Sequence, residues 1–90
     1  MAVVFIPKQL ESAAGGLSRV EVEGATVRRL LDALAPRHPD LVAALLDEKG
    51  ALRSNLAVAV DGDVLPEGLR GEVAPDSEVH FIPALSGGRP

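Results

Sequence analysis

Apolar and polar positions change rhythm several times along the chain, and each rhythm predicts an element. Val3, Val4, Phe5 and Ile6 run consecutively up to Pro7. So short an apolar run, closed by proline, predicts a strand over residues 2–7 buried on both faces, and therefore central in a sheet. Ala13-Ala14-Gly15-Gly16 marks residues 8–17 as a loop. Residues 18–23 then alternate, with Val20 and Val22 on one side and Arg19, Glu21 and Glu23 on the other. That alternation predicts a half-exposed strand at or near a sheet edge, hairpinned to the first through the glycine pair.

The period next becomes helical. Val27, Leu30, Leu31 and Leu34 form one apolar stripe, with Arg28, Arg29 and Asp32 opposite. Thr26 is placed to cap this helix with its hydroxyl, and Pro36 ends it. Pro39 opens a second, shorter helix with Asp40 near its positive end and Leu41, Val42, Leu45 and Leu46 on its buried side. Gly50 is the expected residue beyond its C-terminus. Residues 55–60 read as a third strand, Leu56, Val58 and Val60 facing away from Ala57 and Ala59. Asp61-Gly62 is a tight-turn signal. Residues 64–73, broken by Pro66, Gly68 and Gly71, read as irregular. Pro75-Asp76-Ser77 is another turn, before a last strand over residues 78–83 with Val79 and Phe81 opposed to His80 and Ile82.

This order predicts an α+β roll, a mixed sheet of four to five strands packed on one main helix plus a short helix. The two terminal strands, being the most apolar, should lie side by side in its middle. Residues 1–85 would form one domain and residues 86–90 a tail. Central strands apolar on both faces leave some of Val3–Ile6 and Val79–Ile82 outside the helix-covered core, and such a patch usually marks a partner surface. Ile82 is the leading candidate, since it alternates away from Phe81 and lies near the tail.

Composition narrows the function classes. The 90 residues include no cysteine, which excludes disulfides, thiolate metal sites and a thiol nucleophile. A net charge of −4 and only two aromatic residues, Phe5 and Phe81, argue against nucleic-acid binding. No segment is long and apolar enough to span a membrane, and the N-terminus lacks a signal-peptide pattern, so the expected location is cytoplasmic.

Catalytic sets are weak. His38 and His80 are the only histidines. A Ser86–His80 pair would put its serine on the tail, and a metal site on His38, His80 and carboxylates is weak because His38, in the corner Pro36-Arg37-His38-Pro39 between the helices, reads as solvent-facing. Asp61 and Asp63 flank Gly62 without the additional oxygen ligands of a calcium loop, so a hairpin turn is the better reading. Gly15-Gly16 lacks the context of a phosphate loop. Gly87-Gly88 forms a thin peptide that can enter a narrow site on another protein, although glycines near a terminus also arise simply as a frayed end.

The residues around that dipeptide carry a resemblance. Asp76-Ser77-Glu78-Val79-His80-Phe81-Ile82-Pro83-Ala84-Leu85-Ser86-Gly87-Gly88 resembles the C-terminus of the MoaD/ThiS sulfur-carrier family. Gly24-Ala25-Thr26-Val27-Arg28-Arg29-Leu30-Leu31 and Leu52-Arg53-Ser54-Asn55-Leu56-Ala57-Val58-Ala59-Val60-Asp61-Gly62 extend the resemblance over most of the chain. It implies a ubiquitin-like β-grasp fold and a carrier protein rather than an enzyme. An E1-like adenylating enzyme would use ATP to activate the Gly88 carboxylate, and sulfur would replace AMP to leave a thiocarboxylate for a sulfur-accepting synthase. No cofactor would be bound to the carrier itself. Phe81, Ile82 and Leu85 are the expected partner contacts, with Ser86 and Gly87 in the tail. Arg89-Pro90 departs from the pattern, because Gly88 then has no free carboxylate. Some carriers of this kind have such residues removed by a JAMM-type metalloprotease; an inactive relative, or a pair of residues foreign to the natural protein, are the other readings. A ubiquitin-like modifier or non-covalent binding module is the alternative function, since conjugation also begins with adenylation.

Overall fold

A computed structural model describes residues 1–83. Five strands form one mixed sheet in the order β2-β1-β5-β3-β4. They are β1 (Ala2–Phe5), β2 (Arg19–Val22), β3 (Leu56–Val60), β4 (Asp63–Val64) and β5 (Glu78–Pro83). Helices α1 (Val27–Leu34) and α2 (Pro39–Leu45) connect β2 to β3. The terminal strands β1 and β5 run parallel side by side, with Val4 opposite Val79 and Phe5 opposite His80. β2 pairs antiparallel with β1, and β3 antiparallel with β5. The architecture is the predicted α+β roll, with β5 at the centre of the sheet.

One sheet face and the helices enclose the core. Ala2, Val4, Val20, Val22, Val58, Val60, Val79 and Phe81 point inward from the strands. Val27, Leu30, Leu31 and Leu34 meet them from α1, none more than 2% exposed. α1 begins where Thr26 Oγ1 accepts from the Arg29 N–H at 3.2 Å, which satisfies one orphaned donor. Its last helical residue is Leu34, two residues before Pro36. The approach of chain to helix is close at Gly24, where a Cβ would lie 2.9 Å from the Leu30 nitrogen.

Three local expectations are corrected. Residues 8–14 are a 3₁₀ helix, not a loop; Ala14 is fully buried and Leu10 and Ala13 pack on the core. Its apolar positions need a partner, and α2 provides one, a contact no local signal encodes. Gly50 does not close α2, which ends at Leu45 with Leu46 extended. It serves a turn four residues later, where Asp47 Oδ1 accepts from the Lys49 and Ala51 N–H groups at 2.8 and 3.0 Å. Residues 64–73 are not wholly irregular. Val64 belongs to β4, and Gly68–Arg70 is a 3₁₀ turn that buries Leu69.

Candidate functional site

The sheet has helices on one face only, so residues that alternate outward from the central strands remain open. Val3 and Phe5 of β1, Ala57 of β3, and His80 and Ile82 of β5 are all half-buried, and Ala59 lies among them. β1 is therefore central but not buried on both faces as predicted; its outward side chains are half-exposed because no second layer covers them. Cross-strand register assembles these residues into rows. Arg19, Phe5, His80, Ala59 and Val64 form one row that takes a residue from every strand. Within it the Phe5 and His80 rings stack in parallel, with centroids 4.4 Å apart and planes 2° apart. Ile82 and Ala57 form the next row toward the end of β5. Glu21, Val3 and Glu78 form the row on the other side. The small side chains of Ala57 and Ala59 keep the β3 side of the face low. Val64, 55% exposed, rises at its margin on β4.

A polar network fixes the start of β5 against this sheet. Asp61, in the turn between β3 and β4, has φ 53°, and Gly62 has φ 91°. Its Oδ1 accepts from the Glu78 N–H at 2.9 Å, and its Oδ2 accepts from the Ser77 hydroxyl at 2.8 Å. Ser77 Oγ in turn accepts from the Ala74 N–H at 3.0 Å, and the Ser77 side chain is buried. The Glu78 N–H foremost, and then the Ser77 hydroxyl, hold the Asp61 carboxyl below its ordinary pKa. The sequence marks both segments as turns, but not that they clasp one another across 16 residues.

Of the expected partner contacts, Ile82 lies on the open face. Phe81 does not. It is 4% exposed and points into the core opposite Val58, so it cannot present its ring to a partner, and its placement among the contact residues is corrected. Strict alternation along β5 puts Phe81 and Ile82 on opposite faces, so only one of them can be outward. Leu85, Ser86, Gly87, Gly88, Arg89 and Pro90 lie outside the described residues. His80, weighed as a base or metal ligand, instead stacks on Phe5 in the middle of the face. Among the described residues no group of three or more histidines and carboxylates is placed to hold a metal ion. Nor is any helix there long and apolar enough to cross a membrane. Ala57, Ala59 and Val64 were not singled out from the sequence. Alternation exposes the two alanines only once it is known which face the helices leave bare.

The open face leads to the end of β5 at Pro83, five residues before Gly88 in the sequence. Among solved structures, a chain of the Amycolatopsis orientalis BexX/CysO complex is 32% identical, with TM-score 0.85, and the match covers 98% of this chain and all of that one. SAMP1 from Haloferax volcanii is 31% identical with TM-score 0.73, over 97% of this chain and 98% of that one. Mycobacterium tuberculosis CysO, described as an antigen, is 24% identical with TM-score 0.83, over 93% and 99% of the two chains, and supports the fold alone. No curated protein sequence matches the chain. The fold is that of ubiquitin-like β-grasp carriers and modifiers. The ThiS family model matches residues 4–88, from the central strand through the diglycine, and by that match the chain belongs to the ThiS family.

Proposed function

We propose that this protein carries sulfur on the carboxyl group of Gly88. The observation that carries the reading is the extent of the family match, which runs through Gly87-Gly88 and stops at residue 88, leaving Arg89-Pro90 beyond it. Chemistry at Gly88 needs a free carboxylate, so any residue following it must first be cleaved, the task of a JAMM-type metalloprotease in this reading. An E1-like enzyme then brings the Gly88 carboxylate against the α-phosphorus of ATP. An oxygen–phosphorus bond forms, pyrophosphate leaves, and the product is an acyl adenylate. A hydrosulfide equivalent attacks the acyl carbon, AMP leaves, and a thiocarboxylate remains. Its sulfur is the nucleophile passed to a synthase. The carrier contributes no catalytic side chain to these steps; it contributes the reacting carboxyl group, a thin glycine peptide and the docking face.

The open sheet face supports the same reading. Five residues beyond Pro83 reach at most ~16–18 Å, so an enzyme acting on Gly88 must sit close to the end of β5. The row of Ile82 and Ala57 is the apolar surface nearest that end. The name of the Amycolatopsis relative's complex fits a carrier that docks on a partner protein. A second reading, conjugation of Gly88 to a lysine, is favoured by the 31% identity to small archaeal modifier protein 1. The product separates the two.

Intact mass spectrometry decides the question, on the 90-residue chain and on a form ending at Gly88, each incubated with the E1-like enzyme, ATP and a sulfur source. Exchange of oxygen for sulfur, a gain of about 16 Da on the shorter form only, is the expected result of activated-carboxyl chemistry. A high-mass conjugate without that gain supports the modifier. Thiocarboxylate on the longer form overturns the processing step, and none on either form overturns the carrier reading.

A further inference from the structure

The open face is polarised along the strands. Among its outward strand residues the charged ones are Arg19, Glu21 and Glu78. Both carboxylates fall in a single row with Val3, at the end where β5 begins. Among the described strand residues, the outward ones at the opposite end, where β5 finishes, are the uncharged Ile82 and Ala57. Arg19 sits on edge strand β2, in the row between. Asp61, exposed in the turn after β3, lies at the same end, hydrogen-bonded to the Glu78 backbone. Acidic groups are therefore gathered at one end of the face, two steps of about 7 Å each from the apolar row.

Two occupants compete for such a face, a second copy of this chain and a different protein. A two-fold dimer matches each residue with its symmetry partner. With the axis along the strands, Glu21 and Glu78 would meet the same carboxylates of the other copy. With the axis across the strands, they would meet Ile82 and Ala57. The first arrangement sets like charges together, and the second desolvates carboxylates against aliphatic side chains. A net charge of −4 adds to the repulsion between copies. The pattern instead complements a partner with an apolar patch beside the site that takes the tail and basic side chains two steps farther along.

We propose that Glu21 and Glu78 form an electrostatic guide that orients this chain on the basic rim of its adenylating partner, with Ile82 and Ala57 placed at the mouth of the site that takes Gly88. The proposal rests on the sulfur-carrier reading. The carboxylates steer encounter and set direction, and the apolar row holds the complex once formed. Neither glutamate touches the reacting carboxyl group; both are positioning residues.

The test uses the chain ending at Gly88 and the E1-like enzyme of the same genome, with ATP–pyrophosphate exchange measured from about 50 to 500 mM salt. In wild type, KM for the carrier should rise with salt. Glu21→Lys/Glu78→Lys should raise the low-salt KM about tenfold, leave kcat within about twofold, and flatten the salt dependence. Glu21→Gln/Glu78→Gln should fall between, which guards against damage done by the introduced lysines. Equal KM and an equal salt slope in all three chains overturn the guide while leaving the carrier reading intact. No exchange with wild type overturns both. Sedimentation of the wild-type chain should give a monomer; a dimer abolished by Ile82→Asp would assign the face to a second copy and overturn the proposal.

Discussion

Ile82→Asp tests the docking face most directly. Ile82 is half-buried, lies opposite Ala57 on β3, and has no helix above it. Fully burying an isoleucine is worth about 1.5–3 kcal/mol, so the free chain should lose about 1 kcal/mol on substitution. For a domain of this size that lowers the melting temperature by roughly 4–8 °C and leaves the transition cooperative. Docking would cover the remaining half of the side chain, worth about 1 kcal/mol more. An aspartate in its place also leaves a carboxylate desolvated against an apolar patch without a partner, at about 2–3 kcal/mol. The sum, about 3–4 kcal/mol, corresponds to a 10²–10³-fold rise in KM for the carrier in ATP–pyrophosphate exchange. Val58→Asp supplies the contrast. Val58 is fully buried one strand away, so that substitution should abolish the folded state itself. An Ile82→Asp chain that melts as expected and keeps KM within about threefold of wild type would show that the face is not used, and would refute the reasoning from alternation to docking.

Two further outcomes follow from the hydrogen bonds. Thr26→Ala removes the side-chain acceptor for the Arg29 N–H and should cost about 1 kcal/mol, seen as a melting temperature lower by roughly 4–8 °C with adenylation kinetics unchanged. The Asp61 pKa is lowered in the folded state, so its contribution to stability is present above the unfolded aspartate pKa of about 3.9 and is lost as pH falls through the lower folded value. Asp61→Asn, which tolerates the same positive φ, should therefore flatten the acid end of the stability profile below about pH 4, and an unchanged acid slope in denaturant titrations would count against the network.

Most of the element order was legible in the chain, because the signals that carry it are local. A run of four apolar residues before Pro7, a helical stripe after Thr26, and alternation through residues 78–83 each depend on neighbours a few positions away. The apolarity of the first and last strands placed them side by side in the middle of the sheet, although their outward residues are half-exposed rather than buried. What stayed hidden depends on contacts between distant segments. The 3₁₀ helix over residues 8–14 packs against α2, and without that partner the stretch leading into the Gly15-Gly16 turn read as loop throughout. Ser77 and Asp61 each looked like ordinary turn residues until the sheet brought them within 2.8 Å.

The chemistry of this protein divides along the same line. By itself the sequence determined that there is no thiol, that residues 87 and 88 are a diglycine, and that the chain carries the pattern of the ThiS family. Covalent identity suffices for those statements. Only the tertiary structure decided which side of β5 faces outward, and so separated Ile82 on the surface from Phe81 in the core. Period-two alternation divides a strand into two faces without saying which the helices will cover; that choice is made by the packing of α1 and α2. Register then gathered Arg19, Phe5, His80, Ala59 and Val64 into one row, and Glu21 and Glu78 into another, from strands that are far apart in sequence.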